Sequence, residues 1–129
     1  MAKFLILVTS PHYDSDSAKS SYEFAKAAIE QNHEVLGIFF YQSGVSHANQ
    51  FNAPLSDEPS ASSLWQELAT RYKVNLLVCA TAASRRGIAD KEEAKRMTFN
   101  GDNLSEHFTM SGLTEFSALS TQATRVVQF

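Results

Sequence analysis

Cysteine is nearly absent: Cys79 is the only one among 129 residues. An internal disulfide is therefore impossible, and so is an intramolecular two-thiol redox cycle. A zinc cage built on thiolates is excluded with them. A chain so poor in cysteine fits a reducing compartment, and the expectation is cytoplasmic. There is no excess of positive charge either: 11 Lys and Arg stand against 14 Asp and Glu, a net charge of −3. That balance argues against direct nucleic-acid binding. Long apolar runs are also missing. The run over residues 4–8, Phe-Leu-Ile-Leu-Val, is far too short to span a bilayer or serve as a signal peptide, so no membrane association is expected. Glycine is scarce, with five in the chain. Neither GxGxxG nor GxxxxGK[ST] occurs.

What is present is a globular composition, with 43% hydrophobic and 19% charged residues. The length suits one domain over residues 1–129, without repeats, linkers or low-complexity tracts. The run at 4–8 is apolar at every position, as a strand covered on both faces should be. Asp14, Ser15, Asp16 and Ser17 offer capping oxygens to a helix carrying Ala18, Ser21, Tyr22, Ala25, Ala28 and Ile29 at helical spacing. Asn32 suits a left-handed residue closing it. A second strand spans 34–40, and the intervening length allows the helical crossover that parallel neighbours require.

Residues 41–59 read as a loop or short helical turn, and Pro59 suits the first turn of the next helix. That helix carries Leu64, Trp65, Leu68, Ala69 and Tyr72, read as core. A third strand spans 74–80, followed by a short helix over 82–86 that Gly87 stops. Asp90 and Glu93 have capping-box spacing. A short strand at 108–110, a helix capped by Ser111 and a last strand at 124–129 complete the chain. Such alternation predicts a three-layer α/β/α sandwich around a mostly parallel sheet. Sites in such sheets gather at the carboxyl ends of the strands. The stretches to inspect are 9–16, 41–50, 79–87 and the segment after Met110.

Cys79 ends the third strand just before a helix, with Arg85 and Arg86 a few residues on. A thiolate there would face the positive end of the helix dipole and nearby cations. A cysteine beside Leu77 and Val78 is equally compatible with plain core packing, and position alone leaves both readings open. His12 and His47 lie in rim loops within reach of that strand end, although both read as solvated loop residues. His33 sits at the opposite end of the sheet, and His107 is in a segment of uncertain type. The absence of glycine in Thr9-Ser10-Pro11-His12 removes the close backbone approach that a flavodoxin-type phosphate loop needs. Thr9 and Cys79 stand where a phosphate-accepting receiver domain would need acids.

Several blocks, in order, resemble the DsrE/TusD family of sulfur-relay proteins, nearest its TusD branch. They are Phe39-Phe40-Tyr41 with Gly44-Val45 and Ala48-Asn49-Gln50, then Ser56-Asp57-Glu58. Cys79-Ala80 with Arg85-Arg86-Gly87 follows, then Phe108 to Leu113, and the terminal Arg125 to Phe129. The resemblance implies a five-stranded parallel DsrE-like sheet and a sulfurtransferase in which Cys79 carries sulfane sulfur as a persulfide. It implies a TusA-like donor, a TusE-like acceptor and a heterohexamer with TusB- and TusC-like sister subunits, serving 2-thiolation of the tRNA wobble uridine. No metal or organic cofactor is implied, since thiolate attack on a persulfide needs none. Residues 41–51, Val45 and Phe51 among them, are expected to cover the sulfur. The competing readings are a DsrE-type carrier in dissimilatory sulfur oxidation, a scaffold subunit with a structural Cys79, and a flavin-binding module.

Overall fold

The computed structural model describes residues 1–53 and 60–129. Five strands form one sheet: β1 (Lys3–Val8), β2 (Glu34–Phe40), β3 (Leu76–Cys79), β4 (Phe108–Ser111) and β5 (Arg125–Gln128). Their spatial order is β4-β3-β2-β1-β5, and every neighbouring pair is parallel. The connecting helices are α1 (Ser17–Glu30), α2 (Ala61–Thr70), α3 (Ala80–Ser84), α4 (Lys91–Arg96) and α5 (Leu113–Gln122), and a 3-10 segment, Gln42–Ala48, follows β2.

The strand order dictates how the two faces are covered. From β1 to β4 the chain steps across the sheet in one direction, so right-handed crossovers place α1 and α2 on the same face. The step from β4 to β5 runs back past β1, which sends α5 to the opposite face. Ring contacts agree with this division. Phe40 packs edge-on against Trp65 of α2 with centroids 5.1 Å apart, whereas its neighbour Phe39 packs against Phe116 of α5 at 5.1 Å. Strand alternation then carries the assignment across the register. Leu77 is the partner of Phe39, so Leu77 and Cys79 share the α5 face.

The two layers are unequal. On the α1/α2 face Ile6, Val8, Ile38, Phe40, Trp65, Leu68 and Val78 are fully or almost fully buried. No residue of α5 is buried, so one thin helix is the cover on the other face. Burying side chains of this size contributes about 1.5–3 kcal/mol each, so the α1/α2 face supplies most of the hydrophobic stabilisation.

Most of the expected elements appear, with instructive shifts at their ends. Asn32 does adopt the left-handed conformation, φ 66°, and so does Gly87, φ 73°. The third strand is shorter than 74–80, and Ala80 already belongs to α3, because Cys79 itself is the last extended residue. Ser111 ends β4 and does not cap α5; Gly112 holds that position. Only half of the capping box forms. Asp90 Oδ1 accepts from the Glu93 amide at 2.8 Å, while the Glu93 carboxylate turns to Arg96 at 2.7 Å. Asp16 precedes α1 but makes no side-chain cap. Pro59 and the Ser56-Asp57-Glu58 block lie outside the described residues.

Candidate functional site

Three of the four rim stretches converge on one cavity. It has a volume of about 540 Å³ and is lined by Cys79, Tyr41 and Gln42 from the end of β2, Arg85 and Arg86 after α3, and the Gly112 turn into α5. Cys79 is 4% exposed, so its sulfur is sheltered yet lies against open space. The thiol makes no hydrogen bond to any described residue. Among the described lining residues there are two guanidinium groups and no carboxylate. Arg86 is steadied by donating from Nη1 to the carbonyl oxygen of Ala82 at 3.1 Å.

The approach of the 3-10 segment depends on one glycine. A Cβ on Gly44 would lie 2.0 Å from the carbonyl oxygen of Val8 and 2.7 Å from its carbonyl carbon. No side chain fits there without moving backbone. The amide of Tyr41 donates to the same Val8 oxygen at 3.0 Å, and Gly44 N donates to Tyr41 O at 2.9 Å. Tyr41 and Gln42 are thus held at the cavity's lip. Gln42 takes φ 52° there, the left-handed region that is uncommon for a side-chain-bearing residue.

The cover expected over 41–51 is only partly realised. Tyr41 and Gln42 line the cavity, but Val45 is completely buried and Phe51 is 71% exposed. Neither histidine joins the cysteine cavity. His47 is not solvated as expected. It is buried, 4% exposed, and its Nε2 lies 3.0 Å from Ser17 Oγ and 3.0 Å from the Ser10 carbonyl oxygen. Burial lowers its pKa from 6.5 to about 4, with the Ser10 carbonyl opposing and His12 reinforcing the shift. His12 packs on His47 with ring centroids 5.3 Å apart. Both belong to a smaller polar hollow of about 110 Å³ with Asn49, Asn52 and Ser105. His33 accepts from the Ala2 amide through Nδ1 at 2.9 Å, a structural contact at the other end of the sheet. Trp65, 1% exposed, is core, as its helical stripe predicts.

One neighbour of Cys79 looks in the sequence like no more than a helix cap. Ser111 is the Cα partner of Cys79 across β3 and β4. It is 9% exposed, and its hydroxyl has no hydrogen-bond partner among the described residues.

The likeness to known proteins runs the length of the chain. The model of the DsrE/DsrF-like family matches residues 2–129. The chain belongs to this family. The protein named Sulfurtransferase TusD from Proteus mirabilis (strain HI4320) is 43% identical over 126 residues, covering 98% of this chain and 97% of the relative. A protein of the same name from Enterobacter sp. (strain 638) is 42% identical over 127 residues, covering 98% and 99%. Among solved structures, the crystal structure of ychN protein from E. coli superposes with a TM-score of 0.77 at 21% identity, covering 100% of both chains. That likeness concerns the fold: the five-stranded parallel sheet with helices on both faces is a DsrE-type architecture. No helix of the described residues is long and apolar enough to cross a membrane. They also contain no group of three or more His, Cys, Asp and Glu side chains able to hold a metal ion.

Proposed function

We propose that Cys79 carries sulfane sulfur as a persulfide, taking it from a TusA-like donor and passing it to a TusE-like acceptor. A sulfurtransferase role is supported by relatives of that name at 42–43% identity across nearly the whole chain. The residue-level reading rests on one observation: the single thiol of the chain lines the cavity that collects three strand-end segments and two arginines.

Loading begins when the Cys79 thiolate attacks the outer sulfur of the donor's persulfide. A new S–S bond forms, the donor's S–S bond breaks, and the donor leaves as a thiolate. Delivery repeats the exchange in the other direction: an acceptor thiolate attacks the outer sulfur on Cys79, and Cys79 leaves as thiolate. One cysteine per carrier suffices, and neither step consumes an oxidant or a reductant. Burial of the thiol protects the persulfide from stray thiols, while the adjoining cavity admits a partner's sulfur. Arg85 and Arg86 lower the electrostatic cost of bringing two anionic sulfurs together. In this reading the chain works in the cytoplasm beside TusB- and TusC-like sister subunits, and the sulfur ends in 2-thiolation of the tRNA wobble uridine, a base this acidic chain need not touch.

Intact-mass measurement after incubation with a persulfidated donor tests the assignment. The wild-type protein should gain the mass of one sulfur atom, reversibly to dithiothreitol, and Cys79→Ser should gain none. An adduct that persists in Cys79→Ser, or a wild-type protein that never loads, would overturn it.

A further inference from the structure

Cys79 and Ser111 occupy equivalent positions at the ends of two adjacent parallel strands. Neighbouring strands lie about 4.8 Å apart, and side chains at the same register leave the sheet on the same face. The Ser111 side chain therefore leaves the sheet on the same α5 face as Cys79, one strand away and next to the Gly112 turn that lines the cavity. It is also an exception to a strong rule. Buried hydroxyls almost always have a partner, yet Ser111 Oγ has none among the described residues.

In the resting protein the hydroxyl makes no hydrogen bond to the Cys79 sulfur either. Rotation about the serine Cα–Cβ bond is the motion that turns it toward that neighbour, and a neutral thiol, a weak acceptor, gives it little reason to turn. A thiolate is a far better one, and bonds to charged acceptors are the strong ones. Such a charge appears on Cys79 Sγ when sulfur is delivered: the acceptor attacks the outer sulfur, the S–S bond breaks, and Sγ departs with the bonding pair.

We propose that Ser111 is the hydrogen-bond donor that stabilises the departing Cys79 thiolate during sulfur delivery. The proton stays on the serine oxygen throughout, and no group is consumed. This role rests on Cys79 being the persulfide carrier. It gives Ser111 a purpose other than helix capping, since Gly112 occupies the cap position and Ser111 Oγ donates to no backbone group among the described residues.

The test loads Cys79 from glutathione persulfide and then offers cyanide, which takes the outer sulfur as thiocyanate and returns the Cys79 thiolate. Ser111→Ala should release thiocyanate about tenfold more slowly than wild type, the cost of one hydrogen bond to a charged group. Ser111→Thr, which keeps the hydroxyl, should recover most of the rate. Urea melts of Ser111→Ala should show no loss of stability, because an unpartnered buried hydroxyl contributes nothing favourable to remove. Equal release rates in wild type and Ser111→Ala would overturn the proposal while leaving Cys79 as carrier, and so would a slow Ser111→Ala that is destabilised and not rescued by Thr. Failure of wild-type Cys79 to load at all would instead overturn the carrier assignment beneath it.

Discussion

His47 donates from Nε2 to the carbonyl oxygen of Ser10 at 3.0 Å, and that contact fixes its tautomer, since a carbonyl can only accept. The proton sits on Nε2, and Nδ1 is left as a buried acceptor without a partner among the described residues. The ring pins the 3-10 segment to the loop between β1 and α1, and the amide of His12 donating to Ser46 Oγ at 2.9 Å reinforces the join.

This arrangement makes stability depend on pH. The folded-state pKa of His47 is lowered from 6.5 to about 4, so between these values the unfolded chain binds a proton that the folded chain refuses. The stabilisation is fully present above pH 6.5 and is lost as pH falls toward 4, amounting to about 3 kcal/mol if the whole shift is realised. Urea unfolding at neutral pH and near pH 4 measures it. His47→Gln should flatten that part of the profile, and an unchanged slope in the variant would assign the acid sensitivity elsewhere.

Gly44 is the next point of sensitivity. With Val8 O only 2.0 Å from where a Cβ would stand, Gly44→Ala must push the 3-10 segment off the end of β1. Overpacking of this kind costs about 1–3 kcal/mol. Because Tyr41 and Gln42 at the cavity's lip are carried by the same segment, faster alkylation of Cys79 by iodoacetamide should accompany the lowered urea midpoint. Loss of stability with unchanged alkylation would mean that the lip does not depend on this contact.

The alternation of elements is readable in the sequence because apolar spacing switches between strand and helix periods, and Cys79 stands out as the sole thiol at a strand end. What is not readable depends on partners distant in the chain. His47 looks like a solvated loop residue until Ser10, 37 positions away, supplies the carbonyl that makes its burial tolerable. Ser111 looks like a helix cap because serine commonly is one, and only the β3–β4 register sets it beside Cys79. The 3-10 segment has too few residues to show a period, so Gly44 gives its reason only when Val8 is in place. Phe51, read as cover, projects into solvent because the chain has by then turned away to pair Asn49 with Leu104.

Asn103 illustrates the same dependence and yields a third expectation. Its Oδ1 accepts from the Ala89 amide at 2.8 Å, and its Nδ2 donates to the Gly87 carbonyl at 2.9 Å and to Asn49 Oδ1 at 3.3 Å. One side chain thereby joins the loop after α3 to the loop after the 3-10 segment. Asn103→Ala strands the amide of Ala89, a residue 5% exposed, and should cost about 2–3 kcal/mol. Asn103→Asp keeps the acceptor for Ala89 but loses both donations, so its urea midpoint should fall between wild type and Ala. Equal midpoints for Asp and Ala would show that the donations, and not the Ala89 bond, hold the loops.

Gln42 offers a separate probe of the cavity's lip, through its backbone. At φ 52° it bears the left-handed conformation, which costs a non-glycine residue about 1–2 kcal/mol. Gln42→Val worsens this, since a β-branched side chain fits that region badly, and should lower stability by a further ~1 kcal/mol. Gln42→Gly removes the strain but adds unfolded-state entropy of similar size, so its urea midpoint should stay close to that of wild type. The two variants therefore separate conformation from chemistry. If Gln42→Gly, folded and stable, loads Cys79 from glutathione persulfide as fast as wild type, the side chain is dispensable and the residue serves only to turn the chain. If loading slows while stability holds, the carboxamide itself takes part in guiding the incoming sulfur.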